Sequence, residues 1–353
     1  MDFATAPFVT DAIRKRCENE VLGYTGKPDS YYNAIINWVK QRYDLIVTKE
    51  VINFVPGIVP GIGMAMNCFT QKGDKVMIQP PVYHPFAWVT TRNERTLVIN
   101  PLRWENGMYR MDLDAFREQI KGCKLFILCN PHNPGGVVWT EAELRAIADI
   151  CYDEKVLVFS DEIHADLTLP PHTHRPFATV SEKARMNSVT FMSPSKAFNM
   201  PGLSASHALI FNEDLRKRFR IYMDAGELDM GHVFAFLSVE AAYSHGTEWL
   251  DQCLAYIQGN IDFVDEFLKK HAPKIKAIRP EASYLVWLDC RELELSQKDL
   301  NEFFVDKAHL ALNDGEMFGK EGIGFMRLNV ASPRCIIEKA MKQLADAYQL
   351  YIK

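Results

Sequence analysis

The sequence predicts an α/β fold: a large domain on a mostly parallel sheet over residues 1–246, then a smaller C-terminal α+β domain over 247–353. Three observations carry this expectation. Short apolar runs without polar alternation recur through the first part, as strands covered on both faces require. An amphipathic helix separates two of these runs, which makes a βαβ unit and implies parallel strands. Beyond residue 246 the texture changes to one long amphipathic helix followed by separate strand-like segments.

The runs VINFVPG (51–57) and DKVMIQP (74–80) are the first strands, and KLFILCN (124–130) is a buried third. TEAELRAIADICYDE (140–154) opens with Thr140 and has Glu143 at the position that closes a capping box. Its apolar residues Leu144, Ile147, Ala148 and Cys151 follow helical spacing. VLVFSDE (156–162), SVTFMSP (188–194) and HALIFN (207–212) continue the sheet. In the smaller domain, residues 247–271 form one helix with a stripe of Leu250, Cys253, Leu254, Ile257, Ile261, Val264 and Leu268. Two strands, SYLVWLDC (283–290) and FMRLNVA (325–331), and a closing helix from Ile336 to Tyr351 complete it.

The 353 residues are 48% hydrophobic and 24% charged, with a net charge of −5 and the two signs mixed along the chain. That balance argues against nucleic acid or an anionic membrane as a partner. No apolar run approaches the roughly 18–20 residues that span a bilayer, and no basic-then-apolar leader is visible. The eight cysteines are scattered without a C-x-x-C pair, which predicts reduced thiols in a cytoplasmic protein. His172 and His174 form an H-x-H, but no second ligand cluster accompanies them, so a loop is expected there and no metal site.

Ligands of open parallel sheets bind beyond the C-terminal ends of the strands. Three successive strand ends here carry polar groups: Asn130 and Asn133 with Gly135 and Gly136, then Asp161 and His164, then Ser193, Ser195 and Lys196. An amide, a carboxylate and a hydroxyl-flanked lysine on neighbouring ends suggest an assembled site.

The order NPHNPGG, SDEIH, SPSK and FMRLNV resembles the fold type I family of pyridoxal-phosphate (PLP) enzymes, the aminotransferase class I/II group. The finer wording, GYTGKPDSYYNAI, QPPVYHPF, SKAFNMPGL and MRLNVASPR, is similar to its C–S β-lyases of the MalY/PatB type, cystathionine β-lyases and cysteine desulfhydrases. The resemblance covers essentially the whole chain. It implies a PLP-dependent transferase-like fold and pyridoxal 5'-phosphate as cofactor. It also implies Lys196 as covalent anchor and proton carrier, a role that desolvation and a cationic neighbour favour by lowering its pKa. Asp161 is then the partner of the pyridine nitrogen, and Tyr83 stacks on the ring. Asn133 donates to the ring's phenolic oxygen, and His164 is a further cofactor-binding residue. The phosphate falls to the Ile58 and Val59 N–H groups at a helix N-terminus, to the Ser193 and Ser195 hydroxyls, and to Tyr24 of a partner subunit, which implies a homodimer with shared active sites. Arg327 grips the carboxylate of a small amino-acid substrate.

Two positions depart from the common aminotransferase pattern: Ser204 stands where an arginine often reaches the phosphate, and His164 where a tyrosine is frequent. Both favour α,β-elimination of cystathionine- or cysteine-type substrates to thiol, pyruvate and ammonia over the alternative, transamination. A regulatory binding protein is the third reading, but a non-catalytic relative should have lost Lys196 or Asp161. The chain opens at MDFATAPFV, where relatives have a further segment, so a truncated N-terminal arm is expected.

Overall fold

Seven strands form the central sheet: β1 (Ile52–Val55), β2 (Lys75–Ile78), β3 (Thr96–Ile99), β4 (Cys123–Cys129), β5 (Leu157–Asp161), β6 (Ser188–Met192) and β7 (Ser206–Leu209). They lie in the order β1-β7-β6-β5-β4-β2-β3 in a computed structural model that describes residues 1–351. Every neighbouring pair is parallel except those of β7, which runs antiparallel to both β1 and β6. The mostly parallel α/β sheet read from the sequence is therefore present, with one reversed strand.

The reason for the unbroken apolar runs is visible in β4. Leu125 and Ile127 pack with the Ile58–Phe69 helix on one face, whereas Phe126 and Leu128 pack with the Glu141–Asp153 helix on the other. All four are essentially buried, and each such side chain contributes roughly 1.5–3 kcal/mol through removal from water. The Glu141–Asp153 helix starts with the expected box: Thr140 Oγ1 accepts from the Glu143 N–H, and the Glu143 carboxylate accepts from the Thr140 N–H at 2.9 Å.

Helices Asp29–Tyr43 and Val233–His245 cover the β1/β7/β6 part of the sheet, where Trp38 and Tyr243 stack at 4.9 Å. The long helix occupies Thr247–His271, and the stripe read from the sequence is buried along its length. The C-terminal part holds a second, antiparallel sheet of four strands, not the two expected: β8 (Lys276–Ile278), β9 (Leu285–Asp289), β10 (Asn313–Asp314) and β11 (Phe325–Asn329), ordered β8-β9-β11-β10. The extra strands are three and two residues long, too short to leave an apolar pattern. The first residues of the chain pack on this part, with Asp2 N–H donating to the Ala331 carbonyl at 2.7 Å. Among the described residues no helix is long and apolar enough to cross a membrane.

Candidate active site

Strands β4, β5 and β6 are adjacent and parallel, so their C-terminal ends open on one side of the sheet. Facing them is the end of β11 from the second sheet. Between the two lies a cavity of about 590 Å³ that both sheets line. It gathers Ile58, Val59, Tyr83, Asn133, Asp161, His164, Ser195, Lys196 and Arg327, nine of the residues singled out in the sequence.

Asp161 ends β5, 4% exposed, with its Oδ1 accepting from the Ile163 N–H at 3.1 Å. Burial pushes its carboxyl up to about 7, and the Lys196 charge only partly opposes this. Lys196 follows β6 inside a tight turn, in which the Phe198 N–H donates to the Pro194 carbonyl and the Met200 N–H to the Ser195 carbonyl, both at 2.9 Å. Burial, then the neighbouring Arg327 charge, hold the Lys196 ammonium below its ordinary value. His164 is pulled down to about 3 by burial, then by the Lys196 and Arg327 charges, so it is neutral; its Nδ1 is buried and without a partner.

Arg327 reaches the cavity from β11. Its Nη1 donates to Asn133 Oδ1 at 2.7 Å and its Nη2 to Asn313 Oδ1 at 2.8 Å, while its Nε is buried and unpartnered. The guanidinium also lies 4.6 Å from the centre of the Phe318 ring. Because Asn133 Oδ1 accepts from Arg327, its Nδ2 is left as a donor.

The two loops that carry Asn133 and Tyr83 are tied by His132. Its Nδ1 accepts from the Gly135 N–H, so Nε2 is the donor to the Pro81 carbonyl at 2.9 Å. The Gly57 backbone, at φ +121°, turns β1 into the Ile58–Phe69 helix, whose first residues, Ile58 and Val59, line the cavity.

Two expected residues are not brought to the cavity wall. Ser193 sits one layer behind: its hydroxyl donates to the Ala205 carbonyl at 2.7 Å and accepts from the Ser195 N–H at 3.1 Å, which fixes the turn before Lys196. Tyr24 is 98% exposed on the extended segment after the first helix. The cavity also includes residues the sequence reading passed over, chiefly Tyr284, Asn313 and Asn329. Tyr284 and Asn329 lie at the edges of strands that were recognised, but nothing in the pattern marked them as facing a ligand. Ser204 lines the cavity too, so the position where an arginine was missing does face the site. The H-x-H pair divides: His174 is buried with its Nε2 2.8 Å from Glu162 Oε2, and half-exposed His172 faces Glu281.

Comparison with known proteins agrees with this geometry. Residues 1–344 match the family model described as aminotransferase class I and II. Cystathionine beta-lyase PatB of Bacillus subtilis is 37% identical over 98% of this chain and 90% of its own length. Protein MalY of Escherichia coli is 30% identical over 98% of this chain and 89% of its own. The crystal structure of cystalysin from Treponema denticola, which contains a pyridoxal 5'-phosphate cofactor, superposes with a TM-score of 0.97 at 34% identity, covering 100% of this chain and 90% of that one. With a lysine, a buried carboxylate and an arginine converging in one cavity, and a family match across nearly its whole length, the chain belongs to the aminotransferase class I and II family.

Proposed function

We propose that this protein is a PLP-dependent carbon–sulfur β-lyase that converts cystathionine- or cysteine-type amino acids to thiol, pyruvate and ammonia by α,β-elimination. The observation that carries the reading is a charge pattern left incomplete by the protein itself. Asp161 is a buried carboxylate whose pKa is raised by burial more than the Lys196 charge offsets, and a pyridinium N–H would be a complement to it. Arg327, in the same cavity, keeps a buried Nε with no acceptor, as a site for a substrate carboxylate would. The residues therefore fit the cofactor. Identity to named C–S lyases supports elimination over transamination.

When bound, PLP supplies an electron-accepting ring conjugated to the substrate's amino nitrogen. The protein supplies the rest. Lys196 would hold the cofactor, and its Nζ would take the proton from the substrate α-carbon; its lowered pKa keeps a larger share of the amine unprotonated. Asp161 would hold a proton on the ring nitrogen, Asn133 Nδ2 would donate to the phenolic oxygen, and Tyr83 and His164 would be further contacts of the ring. The Ile58 and Val59 N–H groups and the Ser195 hydroxyl would bind the phosphate, with Ser193 holding Ser195 from behind. Arg327 would bind the substrate α-carboxylate in the cavity it shares with Lys196.

The same reading includes a division at residue 246 between two domains and a cytoplasmic enzyme whose thiols are unpaired. It also includes a homodimer. Tyr24 lies on a segment whose Val21 and Leu22 are exposed as well, an apolar strip that a second copy would cover while bringing Tyr24 to the other phosphate site.

Incubation with L-cystathionine and no keto acid tests the reaction, with oligomeric state read by sedimentation under the same conditions. Equal amounts of thiol, pyruvate and ammonia from a dimer are expected. Turnover that requires a keto acid and releases no thiol would make the protein an aminotransferase instead, and full activity in a monomer would remove the shared sites.

A further inference from the structure

Arg327 is caged by groups that carry no negative charge. Asn133 Oδ1 holds Nη1, Asn313 Oδ1 holds Nη2, and the Phe318 ring lies against the guanidinium. Among the described residues its side-chain hydrogen bonds go to amide oxygens and to no carboxylate, and its Nε remains buried and free. A neutral oxygen orients a guanidinium as well as a carboxylate would, but leaves its charge available to a ligand.

Asn313 owes its place to a very short strand. β10 is two residues long and pairs only with β11, with Asn313 directly opposite Arg327. The strand is pinned through its other residue. Asp314 accepts from Gln297 Nε2 and Asn301 Nδ2, each at 2.6 Å, and from the Glu316 N–H at 2.9 Å. Gln297 in turn accepts from the Gly324 N–H at 2.7 Å, just before β11. The segment thus presents one amide oxygen to one guanidinium nitrogen from a fixed backbone, at the mouth of the cavity.

We infer that Asn313 is a positioning residue for recognition of the substrate α-carboxylate: it fixes Arg327 from the side opposite Asn133 without neutralising it. The inference rests on the proposed role of Arg327 in an amino-acid enzyme, but not on which reaction follows binding. Its sharpest consequence is an asymmetry between two substitutions. Asn313→Ala removes one hydrogen bond and loosens the arginine. Asn313→Asp keeps the geometry and puts a carboxylate where it competes with the substrate's own.

The test is a titration of the PLP-loaded protein, followed by cofactor absorbance, with L-alanine, which has no β-leaving group, and with ethylamine, which lacks the carboxylate. Asn313→Ala is expected to raise the Kd for L-alanine about threefold to tenfold, in the range of one ordinary net hydrogen bond, because Asn133 still holds the guanidinium. Asn313→Asp is expected to raise it further, beyond about tenfold, while the Kd for ethylamine stays within about twofold in both variants. A merely structural role would move both ligands together. Equal shifts for the two ligands, or L-alanine binding unchanged in Asn313→Asp, would overturn the inference. Wild-type thiol release from cystathionine is scored separately, so loss of the lyase reading would not be mistaken for loss of this one.

Discussion

Asp161 stands where burial opposes ionisation, and that opposition is measurable. Its pKa in the folded protein, about 7, lies above that of an unfolded carboxylate, so the folded chain holds this proton more tightly. Stability contributed by the group is full below the unfolded value, roughly pH 4, and falls as pH rises towards 7. Cofactor-free protein should therefore be more stable at pH 8 as Asp161→Asn than as wild type, by roughly 2–4 kcal/mol. With PLP bound the order should reverse, because the ring nitrogen supplies the missing partner. Thermal melts of both forms across pH check the sign; a wild type that is the more stable without cofactor at pH 8 would make Asp161 a satisfied structural carboxylate. Lys196, Asp161 and Arg327 were legible in the sequence because each is a charge at or within an apolar run, where it needs an explanation. Ser193 and Ser195 read alike there, yet only Ser195 lines the cavity, because the Ser193 hydroxyl is turned to the Ala205 carbonyl. Asn313 could not be found that way: an amide in a polar stretch leaves no such signal.

At the scale of elements, the site depends on how closely the Ile58–Phe69 helix lies on the sheet. A β-carbon at Gly61 would meet Val55 Cγ2 at 2.9 Å and Phe191 Cε1 at 3.2 Å, both in the tightly packed interior. Gly61→Ala must push the helix away from the sheet, and its N-terminus, with the Ile58 and Val59 N–H groups, moves with it. Overpacking of this kind costs about 1–3 kcal/mol, a fall in Tm of about 2–6 °C for a chain of this size. PLP affinity should fall with it, by about threefold or more, read by titration of cofactor-free protein. A lower Tm with unchanged affinity would show that this helix end does not bind phosphate. The sequence located this helix start, the long helix at Thr247–His271 and the capping box at Thr140 because each has strong local chemistry. It missed β3, a partly exposed edge strand, and the short strands β8 and β10, since pairing alone defines them. The reversal of β7 was equally invisible, as an apolar run carries no direction.

At the scale of the molecule, the cavity exists only because two sheets face one another. The larger supplies Asp161, Lys196 and the phosphate-side backbone; the smaller supplies Arg327, Tyr284 and Asn313. Chain order hid this meeting of residues far apart in sequence, and the resemblance of ordered motifs was what joined them before the structure did. The expectation of two domains was drawn from texture alone, whereas the packing of Asp2 and Phe3 against the C-terminal part comes from tertiary contact that no local pattern encodes. If the cavity holds PLP as proposed, one particular lysine out of the many in the chain carries it. Reduction of the PLP-loaded protein with borohydride, followed by peptide mass spectrometry, tests this most directly. A single phosphopyridoxyl group on Lys196, absent from Lys196→Ala, is expected. A phosphopyridoxyl group on another lysine, or none on the loaded wild type, would contradict this.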